Sequence, residues 1–219
     1  VDGVGSMSGL LPVAALSERL RAHGGYLYVD DAHGVSIRGR HGAGYAFESV
    51  DHQLPANTLI AGSLSKGFGG AGGFIVLKPG YNAAQLRALA NPLVFGHSIP
   101  APLQAVNVAA AQIHLSTEID TLQKALWHNV ECFDERTGAT LMNAGLRAPI
   151  RGALFDSERE ASAAAAALRA AGIVVFPVFY PIVESGKAML RCALSTLHTL
   201  EQIDALAGQL ARLSRLSQR

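Results

Sequence analysis

Five of the seven residues 67–73 are glycine, and this loop sits between two short β-branched and apolar runs, 58–61 and 74–77. A third run of the same kind, 26–29, closes on Asp30, Asp31 and His33. Runs this short and this continuously apolar suit strands covered on both faces by helices, in a sheet that is mainly parallel. The first half of the chain therefore reads as α/β. A helix is expected over 11–22, where Val13, Leu16 and Leu20 repeat at helical spacing before Gly24 and Gly25.

Pro100 and Pro102 open a long helical region with Leu103, Val106, Ala110 and Ile113 on one face. Ile119, Leu122 and Leu126 continue that pattern after a break near Ser116, which places a domain boundary within 115–120 and divides the chain into 1–118 and 119–219. Beyond it, strands are expected at 150–155, 173–178 and 189–195. Ser157 with Glu160 makes a capping box for a helix that Gly172 ends. Thr199 with Gln202 caps a last helix whose stripe is Ile203, Leu206, Leu210 and Leu213. The second half reads as a small C-terminal α/β domain.

Composition narrows the function classes. With 219 residues and 49% hydrophobic side chains, the chain has material for a real core and is not disordered. Eighteen basic against 17 acidic side chains leave no cationic surface for nucleic acid. No run of roughly 20 apolar residues offers a membrane span. Cys132 and Cys192 are too few for a disulfide framework, so a reducing, cytoplasmic setting is expected.

Residues 67–72 match the spacing G-x-G-x-x-G, but a dinucleotide site needs a helix after the loop, and here a strand pattern follows. Lys66 precedes the loop, with Ser63 and Ser65 before it. A reachable amine beside glycine backbone suits Schiff-base formation with a planar cofactor, and the two hydroxyls suit a phosphate. The alternative is a surface lysine in a flexible turn. Asp30 to His33 lies at the carboxyl end of a strand, where ligands bind in α/β sheets. A carboxylate there can pair with a pyridinium nitrogen, and an imidazole with a phenolic oxygen. Two other readings stay open, a divalent metal shared with His41 and simple capping of the next turn. No metal site is expected, because no further acidic or His cluster stands nearby. Taken together, Asp30-Asp31-Ala32-His33 and Ser63-Leu64-Ser65-Lys66 fit pyridoxal 5′-phosphate.

At this point the sequence resembles the α-oxoamine synthase family of fold-type I pyridoxal-phosphate enzymes. Val1-Asp2-Gly3-Val4-Gly5-Ser6-Met7 is similar to that family's E-G-V-x-S-M segment, and Val29-Asp30-Asp31-Ala32-His33 to its V-D-[DE]-A-H motif. Ser63-Leu64-Ser65-Lys66 with Gly69-Gly70 is similar to T-L-S-K-x-x-G-G. Tyr180-Pro181, then Met189-Leu190-Arg191 and Leu197-His198-Thr199, follow its late Y-P-x-V, x-[IL]-R and A-x-H-T elements. The resemblance implies an incomplete cofactor-binding large domain over 1–118 and a linking helix with the small domain over 119–219. It implies a Schiff base at Lys66, which also serves as base and acid at the substrate carbon, and a pyridine-nitrogen contact from Asp30. His33 and Ser6 would contact the phenolic oxygen, Ser63 would bind the phosphate, and Arg191 would hold an amino-acid carboxylate. Arg191 alternates with Leu190, Cys192 and Leu194, so one face of its strand packs while Arg191 reaches a cleft.

The implied activity is condensation of an amino acid with an acyl-CoA or acyl-carrier thioester, with decarboxylation, by a homodimer. Departures from the family pattern accompany the match. Ser8-Gly9 replaces Asp-Gly, and Phe95-Gly96-His97-Ser98-Ile99-Pro100 replaces a hydroxyl-rich segment, leaving His97 and Ser98 as the candidates for contact with the neighbouring subunit's phosphate. The family's glycine-rich phosphate loop and ring-stacking residue have no counterpart here, and Val1 is not an initiator Met, so the chain reads as a C-terminal portion. Such a piece would bind cofactor poorly alone and expose an apolar sheet face. Another fold-type I activity, such as an aminotransferase, and a truncated non-catalytic partner chain are the alternatives.

Overall fold

The computed structural model describes residues 1–216, with side chains described to Leu213. The chain divides into two compact units. The first comprises Val1–Gly5 and Leu10–Gln123; the second comprises Ser6–Gly9 and the chain from Lys124 onward.

In the first unit, β1 (Leu27–Asp30), β2 (Thr58–Ser63) and β3 (Gly73–Val76) form one sheet in that order. β1 and β2 run parallel with Asp30 beside Ala61, whereas β2 and β3 run antiparallel with Ser63 beside Gly73. The expected mainly parallel sheet is therefore mixed. The connection 64–72 is too short for the crossover of a dozen or more residues that parallel neighbours need, so the chain turns straight back on itself.

Leu27, Val29 and Ile60 point to one face and form a core with Val13 of α1 (Val13–Arg21) and Ala46 of α2 (Tyr45–Glu48). Leu16 and Leu20, the other members of the expected α1 stripe, pack against it. The opposite face carries Tyr28, Asp30, Ala61, Ser63 and Ile75. On that face Tyr28 is 52% and Ile75 is 44% exposed, so the sheet is covered on one side only, not on both as its apolar runs suggest. Two short helices, α3 (Ala83–Leu89) and α4 (Asn91–Val94), occupy a stretch where no element is expected. Asn82 Oδ1 caps α3 by accepting the Gln85 N–H at 2.9 Å, and Pro92 sits in the first turn of α4, where its missing N–H costs nothing. α5 (Ala101–Leu115) follows the expected helical run and ends at Ser116, where the break is expected.

α6 (Glu118–Arg136) starts directly after that break, and its residues from Lys124 belong to the second unit. There β4 (Ile150–Phe155), β6 (Ala188–Ala193) and β5 (Phe176–Val178) form a sheet with β6 in the middle. β6 is antiparallel to both neighbours, so β4 and β5 run parallel to each other, joined through α7 (Glu158–Ala170), a split β-α-β arrangement. α8 (Leu200–Leu216) closes the unit and buries Ile203, Ala207 and Leu210. Both expected capping boxes place their helix starts. Ser157 Oγ accepts the Glu160 N–H at 3.2 Å, and Thr199 and Gln202 exchange side-chain to backbone bonds at 3.1 and 3.3 Å. The strand expected over 173–178 begins only at Phe176. The Ile173 N–H is spent on the Leu168 carbonyl at 2.9 Å, and Gly172 has φ +79°, so these residues close α7 instead of extending the sheet.

Candidate active site

The parity of β1 separates the two adjacent aspartates. Asp30 follows Tyr28 onto the open face, and its Oδ1 accepts the Ala32 N–H at 2.9 Å. Asp31, whose N–H still bonds the Ala61 carbonyl at 2.8 Å, turns to the covered side and is wholly buried. Its Oδ2 accepts the Ala46 N–H at 2.9 Å, while Oδ1 has no hydrogen-bond partner. A Cβ on Gly3, Gly34 or Gly44 would collide with this carboxylate, so three glycines form its cradle. Burial pushes the Asp31 pKa up to about 7, against the pull of the Ala46 amide and with a further push from Asp30.

His33 stands in the turn that leaves β1 and is half-buried. The strand's outer edge is held by the N-terminal segment, where the Gly3 N–H donates to the Asp30 carbonyl at 2.7 Å and the Asp30 N–H to the Val1 carbonyl at 2.8 Å. The loop that follows carries left-handed backbone at Ser36 (φ 72°) and His41 (φ 54°), an unusual conformation for non-glycine residues. It is tied down by Gln123 Nε2, which donates to the Ser36 and Gly39 carbonyls at 2.9 and 3.2 Å.

At the end of β2, Ser63 Oγ and Ser65 Oγ lie 2.8 Å apart, and the Ser65 N–H donates to Ser63 Oγ at 3.1 Å. Lys66 is exposed, and its carbonyl accepts the Gly69 N–H at 2.9 Å. The glycine loop runs into β3 and not into a helix, which removes the context that a G-x-G-x-x-G dinucleotide site requires. Asp30, His33, Ser63, Ser65 and Lys66 are thus gathered at the carboxyl ends of two adjacent parallel strands. His97 and Ser98 are exposed in the segment between α4 and α5. Among the described residues no group of three or more His, Cys, Asp or Glu side chains could hold a metal ion, and no helix is long and apolar enough to cross a membrane.

In the second unit, Arg191 on β6 is half-buried between buried Leu190 and Cys192. Its Nε donates to the Ser6 carbonyl at 3.3 Å, and burial lowers the guanidinium pKa from its usual value. Ser6 is thus joined to Arg191 through its backbone. Arg191 and His198 border a cavity of about 490 Å³.

Asn107 and His114 of the first unit are not read from the sequence as parts of a site, and Asp31 is read only as a member of the Asp30–His33 cluster, without its burial. Asp31 could have been found from strand parity, since it shares a side with Leu27 and Val29. Asn107 and His114, both on α5, carry no local signal, because only folding brings them to the glycine loop.

This fold and this constellation define a class: the chain belongs to the aminotransferase class I and II family, whose model matches residues 1–210. Within it, the chain is 35% identical over 218 residues to 8-amino-7-oxononanoate synthase of Xylella fastidiosa, a match that covers 96% of this chain and 52% of the relative. Among solved structures, serine palmitoyltransferase of Sphingomonas wittichii superposes with a TM-score of 0.88 at 26% identity, covering 99% of this chain and 54% of that one. A structure of SPT with PLP gives 0.87 at 24% identity, again over 99% and 54%, and shares the fold. The fold is accordingly that of fold-type I transferases, and the chain spans about half the length of the curated relatives it matches.

Proposed function

We propose that this chain contributes to a pyridoxal 5′-phosphate-dependent acyltransferase of the α-oxoamine synthase type. It would condense an amino acid with an acyl-CoA or acyl-carrier thioester and release CO2. The observation that carries this reading is the placement of exposed Asp30, the Ser63–Ser65 hydroxyl pair and exposed Lys66 at neighbouring ends of β1 and β2. These residues fit the cofactor's three functional groups: a carboxylate for the ring nitrogen, hydroxyls for the phosphate and an amine for the aldehyde. When bound, the cofactor supplies an electron sink for negative charge at the substrate's α carbon.

The chain's own groups do the rest. Asp30 keeps a proton on the pyridine nitrogen, and the half-buried Arg191 holds the amino-acid carboxylate with its forked donors. Lys66 would hold the cofactor through its aldehyde and would move the proton at the α carbon. His33 and Ser6 orient the phenolic oxygen, and Ser63 and Ser65 hold the phosphate. In a homodimer, His97 and Ser98 reach the phosphate bound by the neighbouring subunit. On this reading 1–118 is part of the cofactor-binding large domain and 119–219 the linking helix with the small domain. Its free cysteines, Cys132 and Cys192, support a cytoplasmic setting.

The family's description favours a second reading, transamination, which uses the same Asp and Lys logic. The test begins with a protein carrying this sequence and pyridoxal 5′-phosphate: a visible-absorbing adduct forms and is abolished by Lys66→Ala. CO2 release from an amino acid with an acyl-CoA marks the acyltransferase, and release of a keto acid without the thioester marks transamination. No adduct in the wild-type protein overturns both.

A further inference from the structure

Asn107 and His114 are separated by seven residues of α5, two helical turns, and so share the face that buries Ala110. Asn107 pairs with both backbone groups of Ala71, accepting its N–H at Oδ1 and donating from Nδ2 to its carbonyl, each at 3.0 Å. The amide side chain thus does for Ala71 what a neighbouring strand would do. A Cβ on Gly70 would collide with Asn107 Oδ1, so the close approach depends on that glycine. The Gly70 N–H donates in turn to the Leu64 carbonyl at 2.6 Å, and the Leu64 N–H to the Gly72 carbonyl at 2.9 Å. These bonds lead from α5 to the residue two before Lys66.

Seven residues further along α5, the His114 ring lies against Phe68, with centroids 4.6 Å apart and a 33° tilt. His114 is itself fixed from two sides. Its Nδ1 meets the Ala110 carbonyl at 2.7 Å and must donate, so in the neutral ring Nε2 accepts the Ser36 hydroxyl, also at 2.7 Å. The turn bearing Lys66 is therefore tied across its own base at Leu64 and tied to α5 at Phe68 and Ala71. The lysine side chain itself is exposed.

We propose that α5 is a splint for the Lys66 turn, and that Asn107 and His114 are positioning residues for capture of a cofactor aldehyde by Lys66. This rests on the reading of Lys66 as the cofactor-binding amine. The ordered turn presents the amine in one place, so the ordering cost is met on folding and not on binding.

The test compares wild type with Asn107→Ala and the isosteric Asn107→Asp, which faces the Ala71 carbonyl with an acceptor where a donor stood. Each is incubated with pyridoxal 5′-phosphate and reduced with borohydride, and labelling at Lys66 is measured against Lys78, Lys124 and Lys187 as internal references. Loss of both hydrogen bonds in Asn107→Ala, and in Asn107→Asp loss of the one donated to the Ala71 carbonyl with two acceptors left facing each other, should lower the relative labelling of Lys66 on the order of tenfold in each variant. Hydrogen exchange at Gly70 and Ala71 should accelerate, while the labelling of the other lysines stays unchanged. Wild-type labelling and unchanged exchange in both variants overturn the splint. If wild-type Lys66 labels no better than the other lysines, the cofactor reading of Lys66 fails. The exchange rates then decide the splint alone, faster exchange supporting it and unchanged exchange refuting it.

Discussion

Arg151, with no exposed surface, forks onto both oxygens of Asp134 at 2.6 Å from Nε and Nη2. The guanidinium also donates to the carbonyls of Ala148, Ile150 and Leu146, and Asp134 accepts the Gly145 N–H at 2.9 Å. One ion pair thereby joins α6 to β4 and to the loop before it.

Asp134→Ala should strongly destabilise the protein, because it strands a buried guanidinium. Loss of a partner from such a pair costs about 3–5 kcal/mol. Urea denaturation of wild type and variant measures it; a loss below about 1 kcal/mol, the scale of a surface pair, would contradict the buried geometry.

Asp31 should make stability fall as pH rises. Its folded pKa of about 7 stands above the ordinary 3.8, so the folded state holds a proton that the unfolded state has released in between. The contribution is complete below about pH 4 and is lost as pH climbs through 7, amounting at most to about 4 kcal/mol. Asp31→Asn should flatten that slope. Parallel stability curves for the two proteins between pH 4 and 7 would show that the carboxyl titrates normally.

Gly44→Ala should destabilise by about 1–3 kcal/mol. Gly44 has φ +98°, and a Cβ there would collide with Asp31 Oδ2. The double variant with Asp31→Asn does not relieve the clash, since the amide is isosteric, so the glycine's cost should persist in both backgrounds when thermal unfolding is compared.

The two thiols should differ in reactivity. Cys192 is buried, which pushes its pKa up to about 12, whereas Cys132 is half-buried on α6. Brief iodoacetamide treatment of the folded protein should label Cys132 alone, as read by mass spectrometry, and denaturant should admit the second label. Equal labelling of both in the native protein would contradict the burial of β6.

Much of the fold is legible in local patterns. The stripes of α1 and α8, the two capping boxes and the break at Ser116 rest on interactions spanning a few residues, and these the chain carries in its own order. The hairpin from β2 to β3 departs from the expected mainly parallel sheet, although its signal is local: a connection as short as 64–72 allows only antiparallel neighbours. The extent of β5 has no such local signal: Ile173 and Val174 are apolar and β-branched, yet the Ile173 amide serves the end of α7. Hydrogen bonds are claimed once, and a hydrophobic pattern does not show which element claims them.

The candidate site divides in the same way. By itself the sequence determined the local chemistry: aspartates at the end of one strand, and serines, a lysine and glycines at the end of another, each motif complete within a few residues. Only the tertiary structure decided which aspartate is exposed and which is buried, that the two strand ends are neighbours, and that Asn107 and His114 reach the loop from α5. The physical reason is that residue chemistry and strand alternation are local properties. Desolvation and side-chain contact between residues dozens of positions apart exist only once the sheet has paired and the helices have packed on it.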